Sequence, residues 1–416
     1  MIKSISIKNF LSFQDVTEIY FDSTNYWSKV NHVMNIEHWS WRKSTLIKSM
    51  IIYGANASWK SNILRAIVVI KAFAMRNNFS YAPFLLDTKS KSNPSFFEIC
   101  FFVWNKEYKY NFELLWSKVV SENLFEIKKE KEFILFKRWE GNIKFNNDFL
   151  IYKWQLEDKV RENASFLWVL DQFNAKLNGK NILFFFDTLN SLGSWYNGAQ
   201  TVELLKLNES EENKKFVIEF LKCADIDICD IRIQETMWEV IDFNIEKKDV
   251  KFSQWKSLRI ELGHCIKWTS EIEFFPLTAE SQGTQKLFWI LGMVATTIIN
   301  EWILFFDEIE NNLHPHIVKN LLKLIHSDLW KRYQFIFTSH SLELMNLKEF
   351  KKEQIWITEK DTFWATKFYT LYDFEDIRSE NDIHKLYNLW SLWWVPVIRD
   401  FSSILKEMKL WEEKRG

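Results

Sequence analysis

Glycine is what this chain most lacks. Average usage calls for about 29 glycines in a chain of this length, and its 416 residues hold 9. Proline is scarce at 5 and cysteine at 4. Cys100, Cys223, Cys229 and Cys265 form no CxxC pair and no metal-ligand spacing. That excludes a zinc ribbon and reads as buried free thiols in a reducing cytosol. A strong charge of one sign is also missing: the formal net charge is −1 and the pI about 6.7. Any nucleic-acid contact would therefore have to come from a local patch or a partner. The most apolar stretch, 287–299, is too short to span a bilayer and is followed by Asn300 and Glu301. The N-terminus alternates like a strand and is not a signal peptide. A cytoplasmic protein with no membrane contact is expected, with room for one large domain or two moderate ones.

Tryptophan is present in excess, at 22. The glycine and tryptophan counts together come close to the glycine count expected. Several tryptophans stand in polar, turn-like settings: Ser40-Trp41-Arg42-Lys43, Arg138-Trp139-Glu140-Gly141, and the run from Trp390 to Pro396. Such places want glycine's freedom at positive φ. We read most of these positions as UGA codons that the source organism decodes as glycine. The few prolines and the 37 phenylalanines fit the AT-rich genome in which such recoding occurs. Trp356, in an apolar strand-like run, reads as genuine.

The hydrophobic pattern divides the chain. Residues 48–54 read as a buried strand and 61–76 as an amphipathic helix. Alternation over 96–155 reads as an antiparallel β layer, 156–230 as mainly helical, and 230–276 as strands again. From 284 helix and strand alternate: helix 284–299, strand 302–306, helix 315–327, strand 333–338, helix 341–346, strand 354–358. That order marks a parallel α/β sheet.

Four motifs carry chemistry. Gly54-Ala55-Asn56-Ala57-Ser58-Trp59-Lys60-Ser61 follows a strand and opens a helix. It meets the phosphate-loop pattern GxxxxGK[ST] everywhere except Trp59. Such a loop wraps phosphates in backbone N–H groups at a helix N-terminus. Lys60 would reach the β- and γ-phosphates and Ser61 would hold Mg2+. Second, Ile303-Leu-Phe-Phe-Asp307-Glu308 is an apolar strand ending in two carboxylates. Asp307 suits a Mg2+ ligand and Glu308 a general base. Third, the strand ending Thr338-Ser339-His340 offers a histidine to sense the γ-phosphate. Fourth, Glu280-Ser281-Gln282-Gly283-Thr284-Gln285 opens a helix and makes a second anion-binding corner. Taken singly, each also suits an ordinary role: a chance strand–turn–helix, an acidic turn, a packing histidine, a Ser281 N-cap. Their order favours the functional reading.

With those residues in view, the chain resembles the ABC-type ATPases of the SMC and RecF kind. It is most similar to the compact bacterial AAA-type ATPases of phage-defence and abortive-infection systems. Tyr53 to Asn62, Glu280 to Gln285, Asp307 to Pro315 and Thr338 to His340 carry the resemblance, with support from Gln354 to Asp361 and Leu389 to Pro396. It implies an α/β ABC-ATPase head with an antiparallel β layer and an inserted helical lobe. Residues 1–155 and 277–416 would be the two ATPase lobes and 156–276 the insert. It implies ATP and Mg2+ as ligands, with Asn62 and Gln285 joining the nucleotide contacts. It also implies a homodimer in which Ser281 and Gly283 of one copy close over ATP on the other, with 311–315 at the interface. A nuclease or other effector encoded nearby would be the partner. A RecF-like repair ATPase that binds DNA, and a nucleotide-gated scaffold without hydrolysis, stand as alternatives. The Ser-Gln-Gly-Thr-Gln signature is not that of a transporter.

The recoding reading has a direct test. The native protein's intact mass is expected to fall short of a chain with 22 tryptophans, and codon 59 to be UGA. A mass that accounts for every tryptophan refutes it.

Overall fold

The computed structural model describes the chain apart from residues 24–29, 38–42, 55–59, 76–79, 147–159, 174–180, 193–209, 224–225, 245–248, 311–313, 328–331, 342–343, 346, 348 and 375–416. The strands are β1 (Ile2–Lys8), β2 (Thr17–Tyr20), β3 (Val33–Glu37), β4 (Lys43–Ile47), β5 (Ser49–Gly54), β6 (Ser95–Val103), β7 (Lys106–Leu115), β8 (Lys118–Lys128), β9 (Lys131–Trp139), β10 (Asn142–Phe145), β11 (Leu189–Leu192), β12 (Asp230–Asn244), β13 (Asp249–Cys265), β14 (Ile272–Pro276), β15 (Ile303–Phe306), β16 (Gln334–Ser339), β17 (Ile355–Lys360) and β18 (Thr366–Thr370). The helices are α1 (Ser61–Met75), α2 (Phe166–Gln172), α3 (Asn181–Asp187), α4 (Glu211–Cys223), α5 (Gln282–Ile299) and α6 (Pro315–Ile325).

The centre is a six-stranded sheet in the order β11-β15-β16-β5-β17-β18, parallel except for the last pair. All residues of β5, β15 and β16 are buried, as a parallel sheet covered on both faces requires. Alternate side chains serve opposite faces. Met50, Ile52, Phe305 and Ile336 enter a core shared with α1, α2, α3 and a seven-stranded antiparallel sheet, β10-β9-β8-β7-β6-β1-β2. Ile51, Tyr53, Phe306, Phe335 and Phe337 enter a second core with α4, α5 and α6. β12 and β13 form a long hairpin with β14 on its β13 side. No helix among the described residues is long and apolar enough to cross a membrane.

Two sequence expectations change. The stretch 156–230 contains a strand: β11 lies parallel to β15 at the edge of the central sheet. Four residues show too little periodicity to declare themselves, and the pairing partner decides their state. Cys229 and Cys265, expected as free thiols, form a disulfide with Cα atoms 6.0 Å apart. The β12–β13 pairing, invisible in a 36-residue spacing, brings them together, while Cys100 and Cys223 are free.

The hairpin turns bear on the tryptophan excess. Trp104-Asn105 joins β6 to β7 and Trp116-Ser117 joins β7 to β8, each a two-residue turn. In both, the tryptophan holds the first turn position with positive φ, 56° and 54°. That is where a type II′ turn takes glycine. Both indoles are exposed, Trp104 at 72%, so packing gives no reason for them. Trp268 and Trp364 also have positive φ. After Trp139 the turn places positive φ on Glu140 and Gly141, so the conformational argument does not reach Trp139. Trp41 and the run from Trp390 lie outside the described residues.

For the chain that carries tryptophan at these turns, Trp104→Gly and Trp116→Gly are each expected to stabilise by about 1 kcal/mol, since a left-handed L-residue costs about 1–2 kcal/mol. Trp168→Gly, inside α2, should instead destabilise by about 1 kcal/mol. Urea unfolding midpoints of the three variants check the signs.

Candidate functional site

The carboxyl ends of parallel strands are where an α/β sheet gathers its ligands. Here β15, β16 and β5 lie side by side, pairing Phe306 with Phe337 and Ser339 with Tyr53. Asp307, His340 and Gly54 therefore emerge at one edge. Lys60 and Ser61 join them where α1 begins.

Lys60 is almost fully buried, at 5% exposure. Its Nζ donates to the Gly54 carbonyl at 2.8 Å and lies 3.1 Å from His340 Nδ1. Burial lowers its pKa to about 8, against the opposing pull of Glu308, Glu310 and Asp307. Ser61 Oγ stands 2.9 Å from both carboxylate oxygens of Asp307. The Thr338 hydroxyl donates to Asp307 at 2.6 Å and accepts from the Glu308 N–H at 2.8 Å. Glu308 is left-handed, with φ 52°, a strained state for a non-glycine residue that recurs at functional sites. Its carboxylate lies 3.4 Å from His340 Nε2, so the imidazole bridges Lys60 and Glu308. Glu310 accepts from the backbone N–H groups of both His340 and Ser341.

Ser281 caps α5 and accepts from Thr284 N at 3.1 Å. Ser281 and Gly283 are exposed at this helix start, and Gln285 donates to the Glu280 carbonyl at 2.7 Å. Burial lowers the pKa of Lys286, one turn on, while Glu308 raises it, which puts α5 within electrostatic reach of the acidic pair. Asn62 ties the Asn9–Phe13 turn to α1 by donating to Ser12 at 2.9 Å. Beside it opens a cavity of about 470 Å3, walled by Leu11, Asn62, Arg65, Phe84, Leu86 and Trp364.

The structure thus brings Gly54, Lys60, Ser61, Asp307, Glu308 and His340 together. It sets Ser281, Gly283 and Gln285 on an exposed helix start. Ala55, Asn56, Ala57, Ser58 and Trp59 lie outside the described residues, as does most of 311–315. Sequence reasoning assigned no role to Thr338, Glu310 or Lys286. The first two stand within the motifs that were read, two residues from a named histidine or glutamate, and that proximity was the only signal.

The donor set suits a hard cation. Ser61 and Asp307 present oxygens at one point, and Mg2+ takes one or two such protein ligands with phosphates and water completing the shell.

Residues 49–201 and 268–346 match the family model described as AAA domain, putative AbiEii toxin, Type IV TA system. Among solved structures the chain is similar to the SMC head domain from Thermotoga maritima, at 12% identity and a TM-score of 0.41, over 89% of this chain and 98% of that one. It is similar to an SmcHead bound to the C-winged helix domain of ScpA, at 15% identity and 0.47, over 89% and 97%. A third is the Smc head domain with an extended coiled coil, bound to the C-terminal domain of ScpA, derived from Pyrococcus furiosus. It shares 12% identity at a TM-score of 0.42, over 93% and 98%. No curated protein matches the sequence.

The lowered pKa of Lys60 sets a pH dependence. Below pH 8 the folded and unfolded chains both carry its proton, and the fold bears the burial of the charge. Between about 8 and the ordinary 10.5 the folded chain sheds the proton while the unfolded chain keeps it, so stability rises with pH. Lys60→Met should remove this rise, on the order of 3 kcal/mol. Urea unfolding of both chains from pH 7 to 10 checks it, and parallel curves would contradict the burial argument.

Proposed function

The chain belongs to the family described as AAA domain, putative AbiEii toxin, Type IV TA system, and from that premise we propose that it is a Mg2+-dependent ATPase that works by nucleotide-gated dimerisation. The observation that carries the proposal is the convergence of Lys60, Ser61, Asp307, Glu308 and His340 at one edge of the parallel sheet. In this reading the triphosphate lies in the loop between Gly54 and Lys60. Lys60 exchanges the Gly54 carbonyl for phosphate oxygens, so its buried charge gains an anion. Ser61 and Asp307 would hold magnesium, which when bound neutralises phosphate charge.

Glu308, on the solvent side of His340, takes the proton of the attacking water. General-base catalysis of this kind contributes about 10²–10⁴-fold. His340 hydrogen-bonds the γ-phosphate and reports its presence. The cavity beside Asn62 and Arg65 has the volume for a nucleoside base.

A second copy completes the site. Ser281 and Gly283 stand exposed at the start of α5, where the helix dipole favours an anion. That corner has no phosphate-loop lysine of its own and would meet the γ-phosphate bound by the other copy. Binding then favours the closed dimer by as much as ATP prefers it over the open state, and hydrolysis releases it. The family description points the output toward a defence system. We assign the protein to the ATPase part of such a system, with a nuclease or other effector as partner.

The test uses the chain translated by its own genetic code. Glu308→Gln should retain ATP and form a stable dimer while turnover falls by about 100-fold or more. Lys60→Ala should lose nucleotide binding. Full turnover in Glu308→Gln would remove the base assignment. Failure of the parent chain to bind ATP would remove the proposal.

A further inference from the structure

Nothing in the phosphate-loop, acidic-pair or histidine motifs accounts for Glu310. It follows the acidic pair by two residues, at a turn whose backbone is laced to the end of β16. Ile309 N–H donates to the Thr338 carbonyl at 3.1 Å and Glu308 N–H to the Thr338 hydroxyl at 2.8 Å. Glu310 extends the lacing by one side chain. One carboxylate oxygen, Oε1, accepts from two consecutive backbone N–H groups, those of His340 and Ser341, the latter at 3.2 Å. Two successive N–H groups aimed at one oxygen hold that side chain at a fixed reach from the backbone of His340 and Ser341.

Resting on the ATPase reading, we propose that Glu310 is a positioning residue: it grips the backbone of His340 so that the imidazole is presented between Lys60 and Glu308. The grip fixes the point from which both ring nitrogens are aimed, Nδ1 at 3.1 Å from Lys60 Nζ and Nε2 at 3.4 Å from Glu308. Besides this grip, the acidic loop meets the end of β16 through Thr338 and through the His340 imidazole beside Glu308. The other oxygen, Oε2, is buried and makes no hydrogen bond among the described residues, and the same holds for the buried Tyr53 hydroxyl. The two groups sense each other: burial raises the Tyr53 pKa well above its usual value, and the Glu310 charge adds to the rise. Glu310 touches neither of the roles given to Asp307 and Glu308. Its action on turnover passes through His340.

Two substitutions separate reach from charge. Glu310→Gln keeps the length and an acceptor oxygen but no charge; Glu310→Asp keeps the charge and is one methylene shorter. With thermal unfolding as the control for folding, the glutamine variant should turn over ATP close to the parent rate. The aspartate variant should lose about 100-fold in kcat, the scale of an ångström-sized misplacement, with KM unchanged. The reverse order would make charge the operative property and overturn the proposal, as would full kcat in both. If the aspartate variant does not fold, loss of turnover in a folded glutamine variant decides against it. Amide hydrogen exchange without nucleotide reads the same grip directly. His340 and Ser341 should stay protected in the parent and glutamine chains and exchange faster in the aspartate chain. That arm separates the two failures: a parent that never hydrolyses ATP sinks the ATPase reading, whereas unprotected amides in the parent sink the role of Glu310.

Discussion

A lysine ammonium held out of water is the constraint around which the site is arranged. Lys60 is buried at the start of α1, where the helix dipole adds further positive potential, and its pKa falls to about 8. The surroundings compensate only in part. The Gly54 carbonyl and His340 take two of its donor directions, and three carboxylates pull its pKa upward without offsetting the burial. A cation whose burial lowers its pKa costs the fold stability while it stays charged. An anion that enters the loop recovers the solvation the fold gave up. The strained backbone of Glu308 belongs to the same pattern, in which local stability is given up where a ligand is handled.

The rest of the fold keeps these groups in register. Three parallel strands, each buried along its whole length, end at one edge, and their register brings Asp307, Thr338 and Gly54 to neighbouring positions. Thr338 then links the two strand ends through its hydroxyl, donating to Asp307 and accepting from Glu308 N–H. A one-residue slip of β16 would turn this hydroxyl to the other face and break both bonds. The apolar cores on the two faces of the sheet forbid such a slip, since it would also send Phe335 and Phe337 to the wrong side. Packing far from the edge therefore sets hydrogen-bond geometry at the edge.

Much of this was legible in the sequence, for reasons that differ by element. β5, β15 and β16 are continuous apolar runs that end in a glycine, an acid pair and a histidine, and run and terminus together mark strand and site. α1 and α5 follow from helical spacing and, for α5, from the Ser281 cap. β11 was hidden because four residues show no period and are held as a strand by β15. The disulfide was hidden because its two cysteines are far apart in sequence and meet only through hairpin pairing. Glu310 was hidden because its contacts are to backbone N–H groups, which no residue pattern reveals. The exposed start of α5 was visible as a motif, but its place in a dimer comes from resemblance and stays a proposal.

The tryptophan excess and the site meet at position 59. At Trp104 and Trp116 the backbone adopts a turn in which a side chain is a liability, and the side chain found there is exposed and packs on little. A sequence selected as written has no reason to place its bulkiest residue there twice in succession along one sheet. A chain whose glycines were renamed would do so wherever glycine had stood, while the β8–β9 turn carries its positive φ on Lys129 and Glu130 instead. In the proposed reading a phosphate loop imposes the stricter form of the same demand, because its N–H groups would have to close on a triphosphate beside Lys60, where the motif asks for glycine at the preceding position. The turns can be argued from conformation alone, without any appeal to function. Their agreement with the gap in the motif supports the same reading at position 59, which lies outside the described residues and stays a proposal.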